Sequence, residues 1–138
     1  MLKIRSEQMK VFEPAAEEVF TRWLTDYIRR EHVGEVVTLP DGSTCAVSEL
    51  EDQALAGMVR CGIARARGRG MNTNTAASAF VTLMFVTSPN FDEHRIIRHI
   101  LHDESISPDL RIERLFDVTT DGNWDAVVAG YDPAAWER

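Results

Sequence analysis

Residues 76–92 read AASAFVTLMFVTSPNFD, and the reading of this run decides the fold. Phe80, Val81 and Phe85 suit a strand as well as a helix, and periodicity cannot separate a buried helix from a buried strand in so apolar a stretch. Length arbitrates. About a dozen residues pass without a turn signal, more than the usual strand of ~5–6. Ala76, Ala77 and Ala79 favour the helix further. Thr73 or Asn74 can cap its start and Ser88-Pro89 ends it, so a helix is predicted over 73–87. A helix apolar on every side belongs in the middle of a bundle.

Working outward, residues 49–69 form the next element. Leu50, Leu55, Met58, Val59, Ile63 and Ala66 make one apolar face, and Ser48-Glu49-Leu50-Glu51 has the layout of a capping box. Gly68 and Gly70 mark its exit. Upstream, Val19, Phe20, Trp23, Leu24, Tyr27 and Ile28 recur at three-and-four spacing, with Met9, Phe12 and Ala16 extending the stripe. Pro14 either kinks one continuous helix or begins a second at its first turn, and a break is the favoured expectation. Between these elements, GEVVTLPDGSTCAV reads as a short β-hairpin at 35–47, with Pro40-Asp41-Gly42-Ser43 supplying the turn.

Downstream, Asp92 is placed to cap DEHRIIRHILHD, with Ile96, Ile97, Ile100 and Leu101 inward. Ser107-Pro108-Asp109 restates a start signal, and Leu110, Ile112, Leu115 and Phe116 follow it. Residues 119–123 read as a loop, and 124–131 as a last helix before a short tail ending in Trp136. The fold predicted is all-α: a compact single domain over 1–138, of five to six helices around the buried helix 73–87.

The totals bound the function. In 138 residues the net charge is −7 and the apolar share 44%. That share is globular rather than disordered. The charge argues against nucleic acid, because phosphate contacts need cationic surface, and it fits a basic protein partner. No apolar run approaches the ~20 residues of a membrane span. The N-terminal stretch lacks a signal-peptide layout, so a cytoplasmic location is expected.

Chemistry-bearing motifs are sparse. Cys45 and Cys61 lie in no metal or redox motif, and reduced thiols are the simpler reading. His99 and His102 share a helix face and could grip a metal together, but His94 joins them poorly and no His-Glu-x-x-His is present. Carboxylates cluster only where helix starts or solvated faces explain them, and no nucleophile elbow or phosphate loop exists. No catalytic residue, metal or cofactor is therefore assigned, and a non-enzyme is expected. The arginines stand out: Arg60, Arg65, Arg67 and Arg69 crowd one helix end in RCGIARARGRG. Cations there complement the helix macrodipole; the functional alternative is a guanidinium patch for a partner's carboxylates. Trp124, Tyr131 and Trp136 are either core residues or partner anchors.

Four segments carry a resemblance: IRSEQMKVF (4–12), GIARARGRGM (62–71), AFVTLMFVTSPNFD (79–92) and ILHDESISPDLRIERLFD (100–117). Together they resemble small accessory proteins encoded in bacterial type VI secretion clusters, beside genes for the spike, its PAAR tip and toxic effectors. The chain departs from that pattern at Arg69, where an aromatic is usual, and at Ser88-Pro89, where a glycine is more common. The shared residues are packing residues, and such motifs identify a fold better than an activity. The resemblance implies an adaptor or chaperone that holds an effector for loading on the spike. Arg60, Arg65, Arg67, Arg69, Phe91 and Asp92 would then be its contacts. An immunity protein covering a cognate toxin is the alternative, and a small effector enzyme the third reading.

Overall fold

The computed structural model describes the backbone of residues 6–138 and the side chains from Ala15 onward. The whole IRSEQMKVF segment, Met9 and Phe12 included, falls outside the described side chains. The described chain is all-α apart from one hairpin. Its helices are α1 (Ser6–Glu31), α2 (Asp52–Gly68), α3 (Asn74–Val86), α4 (Arg95–Leu101), α5 (Arg111–Val118) and α6 (Asp121–Ala129). The strands β1 (Val36–Thr38) and β2 (Thr44–Ala46) join α1 to α2. Short 3-10 turns lie at Val47–Glu49, Phe91–Glu93, Pro108–Leu110 and Pro133–Glu137.

The apolar run 76–92 is helical through Val86, and that helix is central. The Thr73 hydroxyl accepts from the Ala76 amide at the start of α3, and the helix buries Ala76, Ala77, Phe80, Val81, Leu83, Met84 and Phe85. Leu24 and Ile28 of α1, Leu55, Val59 and Ile63 of α2, Leu101 of α4 and Leu115 of α5 join it in one contiguous cluster. Each such side chain contributes roughly 1.5–3 kcal/mol by leaving water. At Gly62 an added Cβ would stand 2.8 Å from the Met84 sulfur and 2.9 Å from Val81 Cγ2. The missing side chain is what lets α2 lie this close to α3.

The hairpin pairs Val36 with Ala46, Val37 with Cys45 and Thr38 with Thr44. Asp41 makes its turn: one carboxylate oxygen accepts from the Ser43 amide at 2.9 Å and the Ser43 hydroxyl at 2.6 Å, and those bonds hold the carboxyl below its ordinary pKa. Two strands are marginal alone. Here the C-terminal tail supports them: the Trp136 indole donates to the Thr38 carbonyl at 3.1 Å, while the Tyr131 hydroxyl accepts from the Thr38 amide at 3.0 Å. Trp136 is buried against Phe85, with ring centroids 4.8 Å apart.

Several local expectations are corrected. No break occurs at Pro14; α1 runs through it and forgoes one amide hydrogen bond rather than a segment. The Ser48–Glu51 capping box does not form. Val47 is buried and its carbonyl accepts from Arg29 at 2.8 Å, so the chain makes a 3-10 turn there and α2 starts after Glu51. Asp92 caps nothing; His94 precedes α4 and its ring accepts from the Ile96 amide at 3.4 Å. Ile97 and Leu101 are buried, whereas Ile96 and Ile100 are half-buried. The stretch read as a loop over 119–123 contains a true capping box, with Thr120 and Asn123 bonding each other's backbone at the start of α6. Of the apolar residues that follow Ser107-Pro108-Asp109, Ile112 and Leu115 are buried and Leu110 and Phe116 are exposed.

Candidate protein-docking site

The arginines singled out in the sequence reach into the molecule. The Arg65 and Arg69 guanidiniums both pair with the Asp92 carboxylate, whose side chain is only 3% exposed. Arg69 meets it through two nitrogens, at 2.8 and 3.0 Å. Arg65 also donates to the Pro89 carbonyl at 2.7 Å and the Ala135 carbonyl at 3.3 Å, so one side chain ties α2 to the Phe91 turn and to the C-terminal tail. Arg138 pairs with Glu93 and Asp132 at the edge of this network. Those two carboxylates push the Arg138 pKa further up, Glu93 contributing more. The result is a balanced set: Arg65, Arg69 and Arg138 against Asp92, Glu93 and Asp132.

Arg67 turns the other way. It grips Glu17 of α1 with two nitrogens, at 2.9 and 3.0 Å, and donates to the Met71 and Thr73 carbonyls and to Asn74. Its guanidinium also lies 5.4 Å from the centre of the Phe20 ring. Arg60 alone of the four is exposed, in a loose 3.5 Å pair with Glu18. Phe91 is fully buried, 4.9 Å from the Phe80 ring. Phe91 and Asp92 are therefore buried parts of the fold, while Arg65, Arg67 and Arg69 spend their donors on internal partners and keep 13%, 23% and 20% of their side-chain surface exposed.

The outward-facing feature is apolar. On α1 the sequence stripe is two adjacent ridges. Phe20, Leu24 and Ile28, four apart, form the buried one. Val19, Trp23 and Tyr27 lie one position back along the chain, rotated by about 100°; Val19 is 59% and Trp23 53% exposed. The rings of Phe20, Trp23 and Tyr27 stack in series, at 6.2 and 5.6 Å between centroids, and Tyr27 meets His32 edge-on at 5.9 Å. Across from them α3 presents Thr75, Ser78, Ala79 and Thr82, and α5 contributes Phe116, itself 60% exposed. Together they line an open groove of about 880 Å³.

Its lining is largely apolar and open to solvent. The signal was in the sequence: six apolar positions between 19 and 28 span more of the helix than one packing neighbour can cover. A second, smaller depression of about 430 Å³ is formed by Glu93, Arg95, Arg98, His99 and His102. There the Nδ1 of His102 lies 2.8 Å from the Arg98 carbonyl, within its own helical turn. Among the described residues, no group of three or more His, Cys, Asp or Glu side chains comes together as metal ligands would.

Cys45 and Cys61 are both free thiols and half-buried. Burial pushes the Cys61 thiol up. No described helix is long and apolar enough to cross a membrane. No family model, no curated protein and no solved structure matches this chain at a significant level.

Proposed function

We propose that this chain is a non-enzymatic protein-binding module, acting in the cytoplasm as an adaptor or chaperone that holds an effector for loading on the type VI secretion spike. The groove carries the reading: Val19, Trp23 and Phe116 are large apolar side chains exposed together along one continuous depression. Burying an exposed side chain of this kind in a complex is worth roughly 1.5–3 kcal/mol, and aromatic residues dominate such contacts. The secretion context rests on the resemblance of the 62–71, 79–92 and 100–117 segments. The partner is taken to be protein rather than nucleic acid, because a net charge of −7 repels phosphate.

That same charge favours one second reading, an immunity protein that covers a basic toxin, since acidic surfaces steer to basic partners at high rates. Co-expression with the products of neighbouring genes separates the two. An adaptor co-purifies with effector and spike, and Trp23→Ala abolishes that retention. An immunity protein rescues cells from its toxin without holding the spike. A chain that retains neither effector nor spike is not the adaptor proposed.

A further inference from the structure

Resting on the protein-binding reading, the groove geometry also specifies what kind of segment fits. We propose that its occupant is an amphipathic α-helix of about three turns from another protein, apolar on the inward face and basic on its flanks.

Length is the first argument. From Ala16 to Tyr27 the α1 wall spans about 16 Å, and from Asn74 to Val86 the α3 wall spans about 18 Å, at ~1.5 Å per residue. Both walls match three helical turns. Depth is the second. Ser78, Ala79 and Thr82 on α3 are small, so a backbone can approach closely, while Trp23, Tyr27 and Phe116 supply the bulky side chains of the lining.

Backbone chemistry is the third argument. The walls are helices, whose amides and carbonyls are already bonded within each helix, and neither β1 nor β2 lines the groove. An extended peptide would bury its own amides here without a strand edge to receive them. A helix satisfies its backbone internally and needs only side-chain contact.

Charge decides between a foreign helix and a second copy of this chain. Among the exposed charges described on the lining helices, α1 carries Glu18, Asp26 and Glu31 against Arg22 and Arg30, α5 carries Glu113 and Asp117 against Arg114, and α3 carries none, so acids outnumber bases around the groove. Two chains that each carry −7 repel, whereas a helix flanked by lysines or arginines is drawn in.

The test uses the full chain and a synthetic leucine–lysine peptide of about fourteen residues, its leucines at helical three-and-four spacing. Controls are a scrambled peptide of the same composition and a version with glutamate in place of lysine. Titration calorimetry is expected to show the patterned lysine peptide binding at least about tenfold tighter than either control. Trp23→Ala, which removes a wall, and Ser78→Trp, which fills the floor, should each weaken it by about tenfold or more. Equal binding of the scrambled peptide, equal binding of the glutamate version, or indifference to both substitutions overturns the proposal. So does a dimer in sedimentation that Trp23→Ala dissociates, since a second copy would then own the groove. Peptide binding without retention of effector or spike would remove the secretion reading and leave this inference standing; the reverse result would do the opposite.

Discussion

At the C-terminal end of α2, charged side chains are turned into the molecule; along α1 and α5, large apolar ones are turned out of it. Sequence logic runs the other way in both places. Arg65 and Arg69 lie largely out of solvent because Asp92 receives both of them, and because the Pro89 and Ala135 carbonyls take the donors that remain. Val19 and Phe116 lie in water because no described element covers them. A residue's type says what its exposure costs, and the neighbours decide whether that cost is avoided. Where charge is neutralised inside, the fold is being fastened; where apolar surface is left open, the proposed binding role would have its contacts.

The comparison is tested hardest at Asp92. Removing one partner of a buried ion pair leaves the other uncompensated, typically at about 3–5 kcal/mol. Asp92→Ala strands two guanidiniums at once and should lower the unfolding free energy by that amount in a urea titration. A loss below about 1 kcal/mol would mean that both arginines swing into water freely, and the network would not be a fastening. Next in size is Gly62→Ala. The new methyl meets the Met84 sulfur, which can swing aside, and Val81 Cγ2, which is stiffer, so a loss of about 1–3 kcal/mol is expected in the same measurement. No loss would show that α2 and α3 separate easily.

Both sites show what the sequence could and could not reveal. The α3 helix was legible because length, alanines, a threonine cap and a proline stop all agreed over one stretch. The hairpin was legible because Pro40 to Ser43 carries its own turn chemistry. Asp92 was not, because its local setting suits a helix cap, and only Arg65 and Arg69, more than twenty residues upstream, claim it. The Ser48–Glu51 box failed for the same kind of reason: burying Val47 and Leu50 outweighed a local pair of hydrogen bonds. On α1 the stripe was read correctly as apolar, but which of its two ridges faces α2 and α3 is a tertiary fact. The groove is the ridge left over.

A smaller effect is expected at Asp109, where the start of α3 is joined to the chain ahead of α5. One carboxylate oxygen accepts from the Asn72 amide at 2.7 Å and the Thr73 amide at 2.9 Å. The Thr73 bond, more than any other influence, holds this carboxyl below the usual aspartate range. Asp109→Ala should cost about 1 kcal/mol at neutral pH. The sign with pH follows from the depressed value. The folded state binds this proton less readily than the unfolded state, so its contribution is whole above the ordinary aspartate range. It is lost as pH falls through the folded value. The gap between parent and variant should therefore close on acidification. A gap that stays constant to low pH would show that the charge plays no part.

The smallest stability effect should come from the groove itself. Phe116 is 60% exposed on α5, and exposed substitutions away from caps and buried pairs usually change stability by less than about 0.5 kcal/mol. Phe116→Gln should leave the urea midpoint nearly unchanged while weakening capture of the patterned peptide. A buried phenylalanine behaves oppositely: Phe80→Ala should destabilise by about 3–5 kcal/mol. If Phe116→Gln instead cost more than about 1.5 kcal/mol, Phe116 would be packed in solution and the groove closed. A near-zero stability change paired with lost binding separates a surface kept for a partner from one kept for the fold, because the free chain draws no benefit from it.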